Sequence, residues 1–86
     1  MTEDMTVEQN ERFMIAFGRA YDGLLEGVKD HAKLRRDLGM DSLDLIEVLV
    51  EIEKEFDITL DDLEHARTIS DLKKLTLTAI NDQQPQ

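Results

Sequence analysis

The chain contains no cysteine, no tryptophan and a single proline, and it has only ten Lys and Arg against twenty Asp and Glu. Without cysteine there is no disulfide framework, no thiolate zinc site and no cysteine nucleophile. The shortage of base leaves a net charge of −10. That balance excludes a nucleic-acid binder and an anionic-membrane binder, because both need clustered Lys and Arg. Long apolar runs are also missing. The longest, Phe13 to Phe17, falls far short of the roughly 20 residues that span a bilayer, and no basic-then-apolar signal peptide opens the chain. The four glycines form neither G-x-G-x-x-G nor a P-loop. His31 and His65 stand alone, without H-x-x-x-H or H-x-x-E-H spacing, and are expected on the surface or in loops rather than as metal ligands. What remains is a cytoplasmic protein without a metal, expected to be a monomer. Its 86 residues, 41% of them hydrophobic, support one small core that buries about 60–65% of the unfolded surface.

The charge that is present is unevenly placed. Between Asp41 and Glu64 lie ten acids and one base, Lys54, a net −9, while the rest of the chain carries ten acids and nine bases. A run of this kind is usually a solvated helix face or a disordered tail. Leu45, Val48, Leu49, Ile52, Phe56, Ile58 and Leu60 are interleaved with the acids, so the segment folds.

The apolar period predicts an all-α protein, a small four-helix bundle of three longer helices and one short one with a long first loop. The first helix is expected from Val7 to about Tyr21, with Phe13, Ala16, Phe17, Ala20 and Leu24 on its stripe. Glu26 to Met40 lacks a sustained period and reads as a partly helical connection in which Leu34 and Leu38 are buried. Loops of this length are uncommon unless functional. A second helix follows from Ser42 to Phe56, a short piece from about Leu60 to His65, and a last helix from near Ser70, a good cap, carrying Leu72, Leu75, Ala79 and Ile80. Residues 1–6 are expected to fray, residues 7–80 to form the domain, and residues 81–86 to be a polar tail.

The second helix has two apolar stripes. Leu45, Val48, Leu49, Ile52 and Phe56 form the core face, while Leu43, Ile46 and Val50 gather on roughly the opposite side beside Glu47, Glu51 and Glu53. Either the helix is central and packs on both sides, or the second stripe docks a partner. Buried carboxylates without partners would be costly, so the acidic border favours docking against an apolar groove rimmed by Lys and Arg. At the start of this helix, Asp41 and Asp44 have the spacing of a capping box and suit the positive end of the helix dipole. A capped helix of any bundle would explain that much. If Asp41 caps, however, the Ser42 hydroxyl is left free beside exposed N–H groups, where a phosphate ester is favoured.

These residues carry a resemblance. Asp37-Leu38-Gly39-Met40-Asp41-Ser42-Leu43-Asp44-Leu45-Ile46-Glu47 resembles the D-L-G-x-D-S-L-D-x-x-E signature of acyl carrier proteins, and Glu53-Lys54-Glu55-Phe56-Asp57-Ile58 resembles the helix end that follows it. The match is strong from Asp37 to Leu60 and passable from Leu24 to Ile80. The resemblance implies that Ser42 receives covalent 4′-phosphopantetheine from coenzyme A through a separate, magnesium-using phosphopantetheinyl transferase. It implies that acyl groups then ride on the arm's thiol as thioesters, sheltered against Leu38, Leu49, Ile52 and Phe56, for fatty-acid, polyketide or related lipid enzymes. Asp41, Leu43, Asp44, Ile46, Glu47, Val50, Glu51 and Glu53 would dock those enzymes through basic surfaces, and the chain itself would be no enzyme. Asp41 before the serine resembles acyl rather than peptidyl carriers. Lys54 within the acidic patch, and a short segment before Ser70 holding Leu63, His65 and Arg67, point to a specialised pathway rather than the housekeeping one.

Other chemistry is less supported. Asp61-Asp62 would need a pocket for general acid–base work, and in so acidic a segment solvated carboxylates are expected instead. Ser42 and Asp41 have no histidine base nearby in sequence, and Arg35-Arg36 is too small for a nucleic-acid patch and is expected to flank the loop. The methionines, Met14 and Met40 among them, fill space. The alternative from another class is a small acidic interaction protein that mimics an anion or occludes a basic surface, with no prosthetic group.

Overall fold

The computed structural model describes residues 5–21, 28–60 and 66–83. Three helices occur among them: α1 (Val7–Ala20), α2 (Ser42–Phe56) and α3 (Ile69–Gln83). No strand is present among these residues beyond a single antiparallel bridge between Lys33 and Thr68. The architecture is all-helical, a small bundle. Of the expected fourth helix, Leu60 is not helical and residues 61–65 lie outside the described residues.

Each helix begins where a side chain can accept the first N–H groups. At α1 the Gln9 amide donates to Thr6 Oγ1 at 3.1 Å, and the Thr6 amide donates to Gln9 Oε1 at 3.0 Å. Thr6, expected in a fraying tail, is therefore the cap of α1, and Met5 packs against the core. At α3 the cap is Thr68 rather than Ser70. The Asp71 amide donates to Thr68 Oγ1, and the Asp71 carboxylate accepts from the Thr68 and Arg67 amides, all at 3.1 Å. The shift has an apolar cause: starting at Ile69 puts that side chain, 1% exposed, into the core. The helix continues to Gln83, so the polar stretch from Asn81 is helical for its first residues.

The core joins all three helices. Phe13, Ala16 and Phe17 of α1 meet Leu45, Val48, Leu49, Ile52 and Phe56 of α2, and Ile69, Leu72, Ala79 and Ile80 of α3. Phe13 and Phe17 lie 6.1 Å apart, and Phe17 meets Tyr21 edge-on at 5.7 Å, separations at which aromatic pairs attract. The expected core faces of α1 and α2 are the observed ones, except that Ala20 is only half-buried and Leu24 lies outside the described residues. On α3 Leu75 is half-buried while Thr76 is fully buried, and the Thr76 hydroxyl donates back to the Leu72 carbonyl at 2.7 Å, which removes the penalty of an unpaired buried hydroxyl.

The connection after α1 differs from the partly helical expectation. Over residues 28–40 it holds turns and no helix. Lacking a helical stripe to bury, its backbone pairs instead with the segment before α3: Leu34 N–H donates to Arg67 C=O at 2.9 Å, Ser70 N–H to Asp30 C=O at 2.7 Å, and Ile69 N–H to Ala32 C=O at 3.3 Å. Leu34 is fully buried and Leu38 half-buried.

Arg12 and Arg19 fasten α1 to the end of α2. Arg12 Nε donates to Glu55 Oε2 at 2.9 Å, Arg19 Nη1 to Oε1 at 3.1 Å, and the Arg12 guanidinium lies 4.8 Å from the Phe56 ring centre. The hydrogen bond from Arg12 holds the Glu55 carboxyl below its ordinary value of 4.5; partial burial pushes the other way and Arg19 adds to the lowering. A carboxyl whose pKa is lower in the folded state lends stability above its unfolded value and loses it as pH falls through the folded one. Wild type should therefore lose more melting temperature between pH 7 and pH 3 than Glu55→Gln, which should start lower at pH 7. Parallel melting curves across that range would contradict this account.

Candidate functional site

The start of α2 is built from the loop inwards. Gly39 adopts φ +68, a left-handed conformation costly for residues with a Cβ. The turn it makes lets Met40 N–H donate back to Leu34 C=O at 3.0 Å and buries Met40 to 3% exposure. Upstream, the Asp37 carboxylate accepts from Lys33 N–H at 2.8 Å, and the Tyr21 hydroxyl donates to Leu38 C=O at 3.1 Å. Asp37, Leu38 and Gly39 thus form a braced turn delivering the chain to Asp41.

Asp41 is the cap. Asp44 N–H donates to Asp41 Oδ1 at 2.9 Å, and Asp41 N–H donates to Asp44 Oδ2 at 3.2 Å. Ser42 is the first residue of α2, and its side chain is exposed. Its hydroxyl is not free, however: Arg35 Nη2 donates to Ser42 Oγ at 2.9 Å. The arginine pair expected merely to flank the loop therefore supplies a cation to the serine. This contact is the part of the site that motif spacing alone does not yield, although two bases ahead of an acidic signature were its trace.

The residues expected to dock a partner divide into two groups. Leu43, Ile46 and Val50 are 63%, 48% and 39% exposed, and at 100° per residue they share a face with Glu47 and Lys54. That stripe is on the surface, so α2 does not bury both sides of itself among the described residues. Glu47 is exposed on that face, Asp41 is exposed at the cap, and Asp44 is half-buried in the cap. Glu51 and Glu53 are more committed to the fold. Glu51 lies 4.0 Å from Arg19, and the Glu53 carboxylate accepts from Leu60 N–H at 2.7 Å, tying down the chain after α2. Both are half-buried. Asp57 ends α2 in the left-handed region at φ 55, and Ile58 N–H donates to Glu53 C=O at 3.1 Å, a common helix stop. Leu49, Ile52 and Phe56 lie closed in the core. His31 is exposed in a turn, while His65 and Asp61-Asp62 lie outside the described residues. Among the described residues, no helix is long and apolar enough to cross a membrane.

The geometry so far is a braced loop, a capped helix start and one exposed hydroxyl. Residues 23–75 match the family model described as a phosphopantetheine attachment site. The chain belongs to the acyl carrier protein family. It is similar to the acyl carrier protein of Thermotoga maritima, 45% identical over 47 residues, covering 52% of this chain and 58% of that protein. It also resembles those of Campylobacter curvus, at 40% over 45 residues (52% and 58% of the two chains), and Chlorobium phaeobacteroides, at 43% over 47 residues (55% and 59%). The matched part spans less than two thirds of the curated relatives' length. Membership implies a covalently attached 4′-phosphopantetheine. The residues fit such a group. Ser42 offers an exposed hydroxyl at a helix start, where anions are favoured, with a guanidinium already on its oxygen.

Because Asp41 closes the capping box, Asp41→Ala should cost about 1 kcal/mol in urea unfolding, while Asp41→Asn should retain most of that stability. Equal losses in the two variants would show that the cap is not what Asp41 contributes.

Proposed function

We propose that this chain carries acyl intermediates as thioesters on a 4′-phosphopantetheine arm esterified to Ser42, and presents them to enzymes of fatty-acid, polyketide or related lipid biosynthesis. The observation that carries the reading is the exposed Ser42 hydroxyl at the first position of α2, inside the Asp37–Glu47 signature of a chain in this family. In the attaching reaction a bond forms between Ser42 Oγ and a phosphorus of coenzyme A, and the pyrophosphate bond breaks. The adenosine 3′,5′-bisphosphate half leaves, and the hydroxyl proton passes to a base on the transferase. When bound, the group supplies a terminal thiol, which a chain without cysteine cannot provide.

The protein's own part is placement and address. It catalyses nothing; residues 7–80 act as the carrier domain and work as a cytoplasmic monomer. Leu43, Ile46 and Val50 form the apolar centre of a docking face that Asp41, Asp44 and Glu47 border. Glu51 and Glu53 contribute chiefly as background charge, since their carboxylates face partners within the chain. Lys54, exposed on the same face, gives that face a cation that selects among basic enzymes and favours a specialised pathway. An acyl chain sheltered against Leu38, Leu49, Ile52 and Phe56 has to displace packed side chains, because close-packed interiors leave little spare room.

Intact mass tests the attachment. Incubation with coenzyme A and a broad-specificity phosphopantetheinyl transferase should add one phosphopantetheine to wild type and none to Ser42→Ala. An unmodified wild type would leave the other reading, an acidic interaction protein without a prosthetic group. The docking face is tested separately by the transferase KM, which should rise several-fold from about 50 to 500 mM salt as steering is screened. A KM unmoved by salt would remove the electrostatic part.

A further inference from the structure

Arg35 is held where it is by the loop. Its neighbour Leu34 is fully buried, donates its N–H to Arg67 and accepts from Met40 N–H. The side chain of Arg35 then reaches seven residues along the sequence to Ser42 Oγ at 2.9 Å. A guanidinium has five donors and no acceptor, so a single contact with a neutral, exposed hydroxyl uses little of what it offers. The charges nearby sharpen the point. Asp41 and Asp44 already take each other's N–H groups at the start of α2. A phosphodiester on Ser42 would be the third negative group at one helix start, and like charges repel.

We infer that Arg35 is the counter-cation of the phosphodiester on Ser42, holding its non-bridging oxygens and so fixing the root of the arm. The inference rests on Ser42 being the attachment residue. Its basis is that the phosphorus bonds to the same oxygen that Arg35 contacts in the bare chain, which puts the non-bridging oxygens two bonds from that oxygen and within reach of the same guanidinium. Guanidinium–phosphate hydrogen bonds are charge-assisted and can be bidentate, and they are stronger than the hydroxyl contact they replace. The Arg35 side chain already reaches Ser42 Oγ in the bare chain, so less freedom is lost on forming the contact. Arg35 is a positioning residue, since it acts on where the arm starts and not on the acyl chemistry.

The test compares unmodified and fully modified forms of wild type, Arg35→Gln and Arg35→Lys, with modification verified by intact mass. Modification should raise the melting temperature of wild type by about 2–5 °C more than that of Arg35→Gln at low salt. The difference should shrink in high salt, with Arg35→Lys in between. A purely structural Arg35 would change both forms of the variant equally. A second measurement is independent of the transferase. With phosphoserine installed at position 42, phosphorus NMR titration should give a phosphate pKa several tenths of a unit higher in Arg35→Gln than in wild type, because an opposite charge favours the ionised form. This titration decides the matter if Arg35→Gln resists the transferase. Identical pKa values in the two chains would overturn the inference, as would identical responses to modification. A wild type that gains no mass on Ser42 would instead overturn the attachment itself.

Discussion

The functional end of this protein depends on a small set of backbone hydrogen bonds between the loop of residues 28–40 and the segment entering α3. Leu34, Ala32 and Asp30 pair with Arg67, Ile69 and Ser70, and the buried Leu34 side chain anchors the middle of the array. A long connection without helix would otherwise leave polar backbone to be solvated and a serine with no fixed approach. Pinned in this way, the loop can make the Gly39 turn, bury Met40 and deliver Asp41 to the start of α2. Ser42 owes its position to residues nearly thirty positions further along the chain.

Charge has a different meaning in different parts of α2. On the side facing α1, Glu55 is engaged by two arginines, and on the way out of the helix Glu53 holds the backbone of Leu60. These acids close the bundle. At the start of the helix the aspartates satisfy N–H groups. Only toward the Leu43, Ile46 and Val50 stripe does the acidity border an uncovered apolar surface. The net −10 is therefore a sum over several separate tasks.

Much of this was legible in the chain itself. The core faces of α1 and α2 follow from the 3.6-residue period, the Asp41–Asp44 box from its spacing, and the uncovered stripe from having a second apolar face on one helix. What escaped was set by pairing distant in sequence. Thr68 rather than Ser70 caps α3 because Ile69 has to reach the core, a demand invisible to local cap preference. The loop of residues 28–40 carries no period, so nothing in it announces pairing with residues 66–70. Arg35 looked like a loop flank because its partner is a serine seven positions on, a spacing that no helix or strand rule connects across a turn. Glu53 looked like part of the docking border, and only the path of the chain after Asp57 brings Leu60 N–H to it.

The pairing of the loop with the segment before α3 also has a mechanical side. It joins the loop before Ser42 to the first turn of α3 through backbone hydrogen bonds, and segments tied together in this way tend to open together. A load applied along residues 35–42 is also felt at the Thr68–Asp71 cap, which belongs to a different helix from Ser42. Tension at the serine is thereby passed along covalent and hydrogen-bonded chain to another helix. The position of Ser42 and the integrity of the bundle are for that reason mechanically linked.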